Sequence, residues 1–535
     1  MQLIDQRVKK IMEECKSRAR DAGLRFDDDT LEYVVTNRDM IELSPKVMIP
    51  TLYDYWVNDV EILKEQGKYK VYPSNPYETV INSRPAISFY NDNNPDWLNI
   101  MIFYHVIAHI DFFQNNRLFE NTWGDDFVGK ALADKRLIAS LRSTHGRWVD
   151  YAIEFSRGIN NLVSYFGELS RKGFPEAMQT PDRLNFYFDI FLQDIAKVPE
   201  HEVYKEVDRY NQLVNQNEDV GEGLFFNEVK NKYPEFQSKF NSFLNNHKEP
   251  QKKADVMEYI RDHSPFLKKE RNQWIKLIMS IVRNTALYFE PQIRTKIINE
   301  GWASYWHDEL FRKDERISGH EVAYAKINAG VTSISRAGLN PYAIGLRLVQ
   351  YVEELAEKGK LNYSFQKIEN IENRGDYNKK TFKGKDAIFE LRKNFSDFTL
   401  INTFVSQDFV DEHNLFVLGK KIDQSRGVYQ YYIKSRKAQD YKKMLIDSLY
   451  HPPIVEVDTS QSDEDNLYLV HQFEGKPLVK EFIFNTMMGI EFLWGSPVQL
   501  ETFELVRRNH ESGKPEFQKV LYTMEDRRIF KEEIE

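Results

Sequence analysis

Along the first 365 or so residues, apolar side chains recur every three or four positions, as in Ile11, Cys15 and Ala19 or Ile275, Ile278, Ile281 and Val282. That spacing predicts amphipathic helices packed into one large helical body. Two stretches interrupt it. A Pro- and Asn-rich run from Val71 to Asp96 reads as an irregular loop or short strands. The polar region from about 198 to 255 reads as an insertion, with solvated loops at Asn215 to Glu222 and Asn245 to Lys253. A polar stretch from Asn370 to Lys385 then precedes one more helix-like segment, Ala387 to Phe398.

Beyond Phe409 the period changes to two. Strands are expected at Leu415 to Gly419, Val428 to Lys434, Ile454 to Asp458, Leu467 to Phe473, Val498 to Val506 and Lys519 to Met524, with helices at Ala438 to Leu449 and Leu478 to Phe492. The order approximates strand-strand-helix twice, then two strands. The expected fold class is therefore mainly α: a large helical domain over 1–405 and a smaller α+β domain over 406–535.

Composition narrows the picture. At 535 residues the chain exceeds what one core usually supports. Its 41% apolar and 14% aromatic content argues for packed domains over disorder. A net charge of −9 gives no overall electrostatic footprint for nucleic acid or an anionic membrane, and neither partner is expected. The charged N-terminal run carries no secretory signal, and no apolar stretch is long enough to span a bilayer. The single cysteine, Cys15, allows no internal disulfide or thiolate cluster, which fits a reducing compartment. Nothing near it in sequence supplies an activating base, whereas helix packing needs only its size.

The candidate chemistry begins with His105 and His109. On a helix, four-residue spacing projects both imidazoles from one face, where they either grip a metal ion or hydrogen-bond within an aromatic core. Far along the chain, Asn299-Glu-Gly-Trp-Ala-Ser-Tyr-Trp-His307 offers Glu300 and a third histidine in another helix-like segment. The runs Ala108-His-Ile-Asp-Phe-Phe-Gln-Asn-Asn116, Asn299 to His307 and Gly338-Leu-Asn-Pro-Tyr-Ala-Ile-Gly345 together resemble the stage V sporulation protein R (SpoVR) family, in that family's order. The resemblance implies a cytoplasmic bacterial protein linked in spore formers to making the spore cortex, in a family that also occurs in bacteria that never sporulate. Glu-Gly-Trp-Ala further resembles the segment by which gluzincin metallopeptidases add a glutamate ligand to a histidine pair. That likeness implies zincin-like helices and a zinc site of His105, His109 and Glu300, with the fourth position left for water.

One departure matters. In His-Glu-x-x-His the residue after the first histidine is the general base, and here it is Val106, which cannot take a proton. Asp111 and His307 are the substitutes, Asp111 as base or as an acceptor orienting a histidine. His307 lies two turns beyond Glu300, about 10 Å along a helix, so it would polarise or donate a proton beside the metal, or cap a helix end. Ser304 lies between them, with the Glu300 carbonyl as its expected partner. His145, in Ser-Thr-His-Gly-Arg-Trp-Val-Asp150, could converge on the same cavity, while Arg147 and Asp150 read as an ion pair. Asn115 and Asn116 either line a groove or cap the histidine helix. Asn340 reads as a helix cap with Pro341 in the first turn. The other histidines lack partners at ligand spacing, and no phosphate-loop, dinucleotide or serine-hydrolase motif appears.

Two functions fit these residues. One is a zinc-dependent hydrolase of amide bonds, acting on a protein or a cell-wall precursor. The other is a non-catalytic regulatory or scaffold protein that keeps a zincin-like body and binds a protein partner through its C-terminal domain.

Overall fold

The computed structural model describes residues 2–36 apart from 28, 78–122, 127–159, 182–198, 221–246, 255–334, 339–361, 377–423, 428–449, 453–473, 476–508 and 515–534, with isolated positions between. The chain forms two compact units, Met1–Tyr165 with Ala254–Glu535, and Phe166–Lys253.

The first unit is mainly helical, with a smaller sheet-containing region. Strands β1 (Gln2–Leu3), β2 (Thr30–Val35), β3 (Glu78–Ile81) and β4 (Ala86–Asn91) form a four-stranded sheet in the order β1-β2-β4-β3. Only β2 and β4 run parallel. The 71–96 run thus forms short strands from Glu78 onward, while 71–77 lies outside the described residues. That β1 and β2 are strands corrects the reading of the chain before Val71 as helical: these strands are too short to show a sustained alternation, and β4 is largely buried, which removes the period-two signal.

Between β1 and β2 runs helix α1 (Gln6–Asp21), capped by Asp5. Its Cys15 is buried, and burial pushes the thiol up to about 11 although Arg316 donates to Sγ at 3.2 Å. Asp314, which also holds Arg316, accepts from the Tyr104 hydroxyl at 2.7 Å. This network ties α1 to α2 (Asp96–Asn115), the helix that carries the histidine pair. Because α2 is buried almost all round, it shows no clean amphipathic stripe.

The remaining helices used below are α3 (Trp148–Gly158), α4 (Gln273–Arg294), α5 (Lys296–Phe311), α6 (Glu321–Val331), α7 (Pro341–Glu357), α8 (Gly384–Asn394) and α9 (Lys480–Trp494). Helix α5 packs on both α2 and α7. It crosses α7 where Gly301 meets Gly345: a methyl group on Gly301 would lie 2.2 Å from the Gly345 backbone, and one on Gly345 would lie 2.0 Å from the Ile297 carbonyl. The free amides of Ile297 and Ile298 at the start of α5 donate to Asp397 at 2.9 and 2.8 Å. Helix α7 starts as expected, with Asn340 accepting from the Tyr342 and Ala343 amides and Pro341 in its first turn. The 387–398 segment divides into α8 and a second helix, Asp397–Phe404, because Ser396 and Thr399 form a capping box between them.

The later strands are β5 (Val417–Asp423), β6 (Val428–Ser435), β7 (Val455–Val457), β8 (Leu467–His471), β9 (Val498–Arg508), β10 (Pro515–Glu525) and β11 (Arg528–Glu533). β5 and β6 form a separate hairpin, and the others make a five-stranded sheet in the order β11-β10-β9-β8-β7. The two strand-strand-helix units therefore belong to different sheets. Leu469, Leu493, Val498 and Met524 share one hydrophobic core with Ile153 of α3 and Ile278 of α4.

In the second unit, helices Gly221–Lys232 and Phe236–Asn246 pack with a π-type stretch, Phe186–Ile195, around Phe186, Phe191, Phe225, Phe226 and Phe236. Of the loops expected at Asn215 to Glu222 and Asn245 to Lys253, residues 215–220 and 247–253 lie outside the described residues, while Gly221, Glu222, Asn245 and Asn246 belong to these helices.

Candidate metal centre

His105 and His109 project from one face of α2 toward Glu300 on α5. Their Nε2 atoms are 3.1 Å apart, and Glu300 Oε2 lies 3.8 Å from the first and 3.5 Å from the second. The three ligand atoms all fall within 4.8 Å of one another. His105 and His109 are buried, and Glu300 Oε2 is a buried oxygen with no hydrogen-bond partner.

The outer ring nitrogens determine where the protons sit. His109 Nδ1 lies 2.9 Å from Asn299 Oδ1, an acceptor, so the hydrogen is on Nδ1 and Nε2 presents a lone pair. His105 Nδ1 lies 2.9 Å from His307 Nδ1, and His307 Nε2 lies 3.1 Å from Asn328 Oδ1. Asn328 is oriented by its own donation to Asp308 at 3.3 Å. His307 therefore donates from Nε2 and accepts at Nδ1, His105 donates from Nδ1, and its Nε2 is a second lone pair. Two nitrogen lone pairs and an orphaned carboxyl oxygen converge.

Neither imidazole takes up a second proton to fill that gap. Burial holds the His109 imidazole down to about 4 against the opposing hydrogen bond that it donates to Asn299. His105 is likewise held well below its usual value, by burial and then by the neighbouring His109 and His307. Burial pushes the Glu300 carboxyl up to about 7, opposed by a hydrogen bond from Tyr342. The donor set, its convergence and the Nδ1 partners fit a divalent cation of the zinc type.

The sequence pattern of the family described as "SpoVR like protein" matches residues 4–451. The chain belongs to the SpoVR family. An Escherichia coli relative, "Uncharacterized protein YcgB", is 23% identical over 338 residues, covering 61% of this SpoVR chain and 59% of the relative, less than two thirds of its length. No solved structure matches.

The other sequence candidates of this SpoVR chain lie outside the ligand cluster. Asp111 orients no histidine: its carboxylate accepts from the Arg25 amide at 2.7 Å and Trp302 Nε1 at 2.9 Å and pairs with Arg392 at 3.4 Å. It thereby fixes Trp302, two residues past Glu300. His307 stands behind His105, neither a ligand nor a helix cap. His145 stacks on Trp274 with centroids 4.3 Å apart and is not one of the converging ligands. Asp150 pairs with Arg142 at 2.7 Å, not with Arg147, since Arg142 lies on the facing helix Phe127–His145. Ser304 finds no hydrogen-bond partner among the described residues, so the expected bond to the Glu300 carbonyl is absent. Asn116 is the C-cap of α2 and donates to the Arg392 and Phe395 carbonyls at 2.7 and 3.0 Å. His201, His247, His451 and His510 lie outside the described residues.

Four residues escaped the sequence reading. Asn299 and Tyr342 sit inside the quoted motifs, beside residues that drew attention for other reasons. Asn328 shows no signal in sequence. Glu78, half-buried on the edge strand β3, is pushed up to about 7 by burial and then by the charge of Glu300. It stands outside the ligand cluster yet feels the Glu300 carboxylate, and nothing in its Pro-rich surroundings announces that.

Proposed function

We propose that this SpoVR-like chain is a zinc-dependent hydrolase of amide bonds, with His105, His109 and Glu300 as ligands on zincin-like helices. The observation that supports it most is the orphaned Glu300 Oε2 facing two histidine lone pairs, an arrangement that a cation satisfies. A bound zinc ion would supply Lewis acidity toward water and a substrate carbonyl. The protein's part is to hold the rings in one tautomer through Asn299 and His307. Tyr342 donates to Glu300 and stacks on His105 with centroids 6.2 Å apart, restraining both. Val106 cannot accept a proton, Asp111 is committed to Trp302 and Arg392, and the Nδ1 lone pair of His307 already accepts from His105. The substrate is a protein or cell-wall precursor met in the cytoplasm, consistent with the link that the family name draws to the spore cortex.

Val106 favours a second reading, a regulatory or scaffold protein whose metal is structural and whose C-terminal region binds a protein. Elemental analysis of the purified wild type, His109→Ala and Glu300→Ala, with circular dichroism on each, tests the first step. Near-stoichiometric zinc in the wild type and its loss from both folded variants is the expected result. No metal in the wild type after zinc addition overturns the metalloenzyme reading. Zinc with no amide hydrolysis in a peptide and muropeptide screen would leave the scaffold.

A further inference from the structure

The whole-chain charge of −9 hides a local reversal. Strands β5 and β6 pair with no third strand among the described residues. Their register sets Ile422 opposite Tyr429, Lys420 opposite Tyr431 and Leu418 opposite Ile433, so these side chains share one face. Tyr429 is 57% and Tyr431 61% exposed. On the other face the ring of Tyr432, also exposed, lies across Gly419. Lys420, Lys421, Lys434, Arg436 and Lys437 are exposed around them, while the sequence from Val417 to Lys437 holds one carboxylate, Asp423. The Lys420 ammonium lies 5.2 Å from the Tyr429 ring centroid.

We propose that this hairpin is a platform for single-stranded nucleic acid, a function independent of the metal centre. Alternate positions on a strand put Tyr429 and Tyr431 about 7 Å apart on one face, the arrangement by which sheet aromatics stack successive bases. Lysines flanking exposed rings supply the phosphate contacts. The same lysines argue against other occupants. Protein interfaces are depleted in lysine, and hairpin-on-hairpin pairing between two copies would set cation against cation. Lysines on both strands also discourage addition of a further strand at either edge.

The test is fluorescence anisotropy of the full chain with fluorescein-labelled oligouridylate and oligothymidylate of about 20 nucleotides, longer than one such platform spans, beside a duplex of equal length. Tighter binding of the single strands is expected. Tyr429→Ala and Tyr431→Ala should each weaken it roughly tenfold, with Tyr431→Phe binding as the wild type does. Lys420→Gln and Lys434→Gln should each lower the slope of log affinity against log salt by about 0.7. Unchanged thermal melts confirm that the variants fold; should an alanine variant fail to, the phenylalanine and glutamine variants still decide the matter. The proposal falls if no binding occurs at low salt or if folded alanine variants bind as tightly as the wild type. It also falls if polyglutamate competes as well as the oligonucleotides do, which would mark a docking surface for an acidic protein.

Discussion

At the residue scale, the histidine helix is legible and its supports are not. His105, His109 and Glu300 stand out because spacing and residue type carry the chemistry, and the folded chain brings them together. Asn299 and Asn328 act through contacts between segments distant in sequence, and Glu78 feels the charge of Glu300 from another such segment, which no local pattern encodes. In the proposed zinc site the outer contacts have measurable weight: Asn299→Ala and His307→Ala, each leaving one histidine ring unoriented, should weaken zinc binding by about 10- to 100-fold, read by competition with a chelator of known affinity. Glu300 carries a pH signature in the metal-free protein. Its folded carboxyl titrates at about 7, above the ordinary value of 4.5, so between those values the native state keeps a proton that the unfolded chain releases. Metal-free stability should therefore fall as pH rises through that window, by up to about 3 kcal/mol. Glu300→Gln, which stays neutral, should gain on the wild type between pH 5 and pH 8 in urea denaturation.

At the element scale, helix periodicity reported the exposed helices well and the central ones poorly. Helix α2 is apolar on nearly every side, so its sequence says that it is buried without saying which neighbours bury it. The glycines of the quoted motifs do say so, once the crossing is seen. Gly301 and Gly345 let α5 and α7 touch backbone to backbone, and Glu300 and Tyr342, each next to or near one of these glycines, lie against the α2 histidines. Gly345→Ala should destabilise the protein by about 3 kcal/mol or more and lower zinc affinity, because backbone atoms cannot yield as a flexible side chain can. Gly330 of α6 has open space around it, so Gly330→Ala should be neutral or stabilise by roughly 0.5 kcal/mol. Chemical denaturation of the two variants beside the wild type checks both. Strands β1 and β2 were illegible for the opposite reason to α2: they are short, and β4, the parallel partner of β2, lies some fifty residues further on.

At the scale of the whole molecule, the change of period after Phe409 is real but does not mark an independent core. The five-stranded sheet and α9 fill the same interior as α3 and α4, so a chain stopped at residue 405 should expose Ile153 and Ile278 and aggregate, as size-exclusion chromatography would show. Sequence patterns report what each segment buries and not what it is buried against, which is why the shared interior was invisible. The N-terminal strand-helix layer has a further consequence. The chain's single thiol is sealed beneath α1, and burial holds it in its unreactive protonated form. A thiol-specific reagent should therefore label the native protein only when that layer lifts, and the labelling rate becomes a built-in clock for the opening of the scaffold behind Tyr104 and the histidine helix.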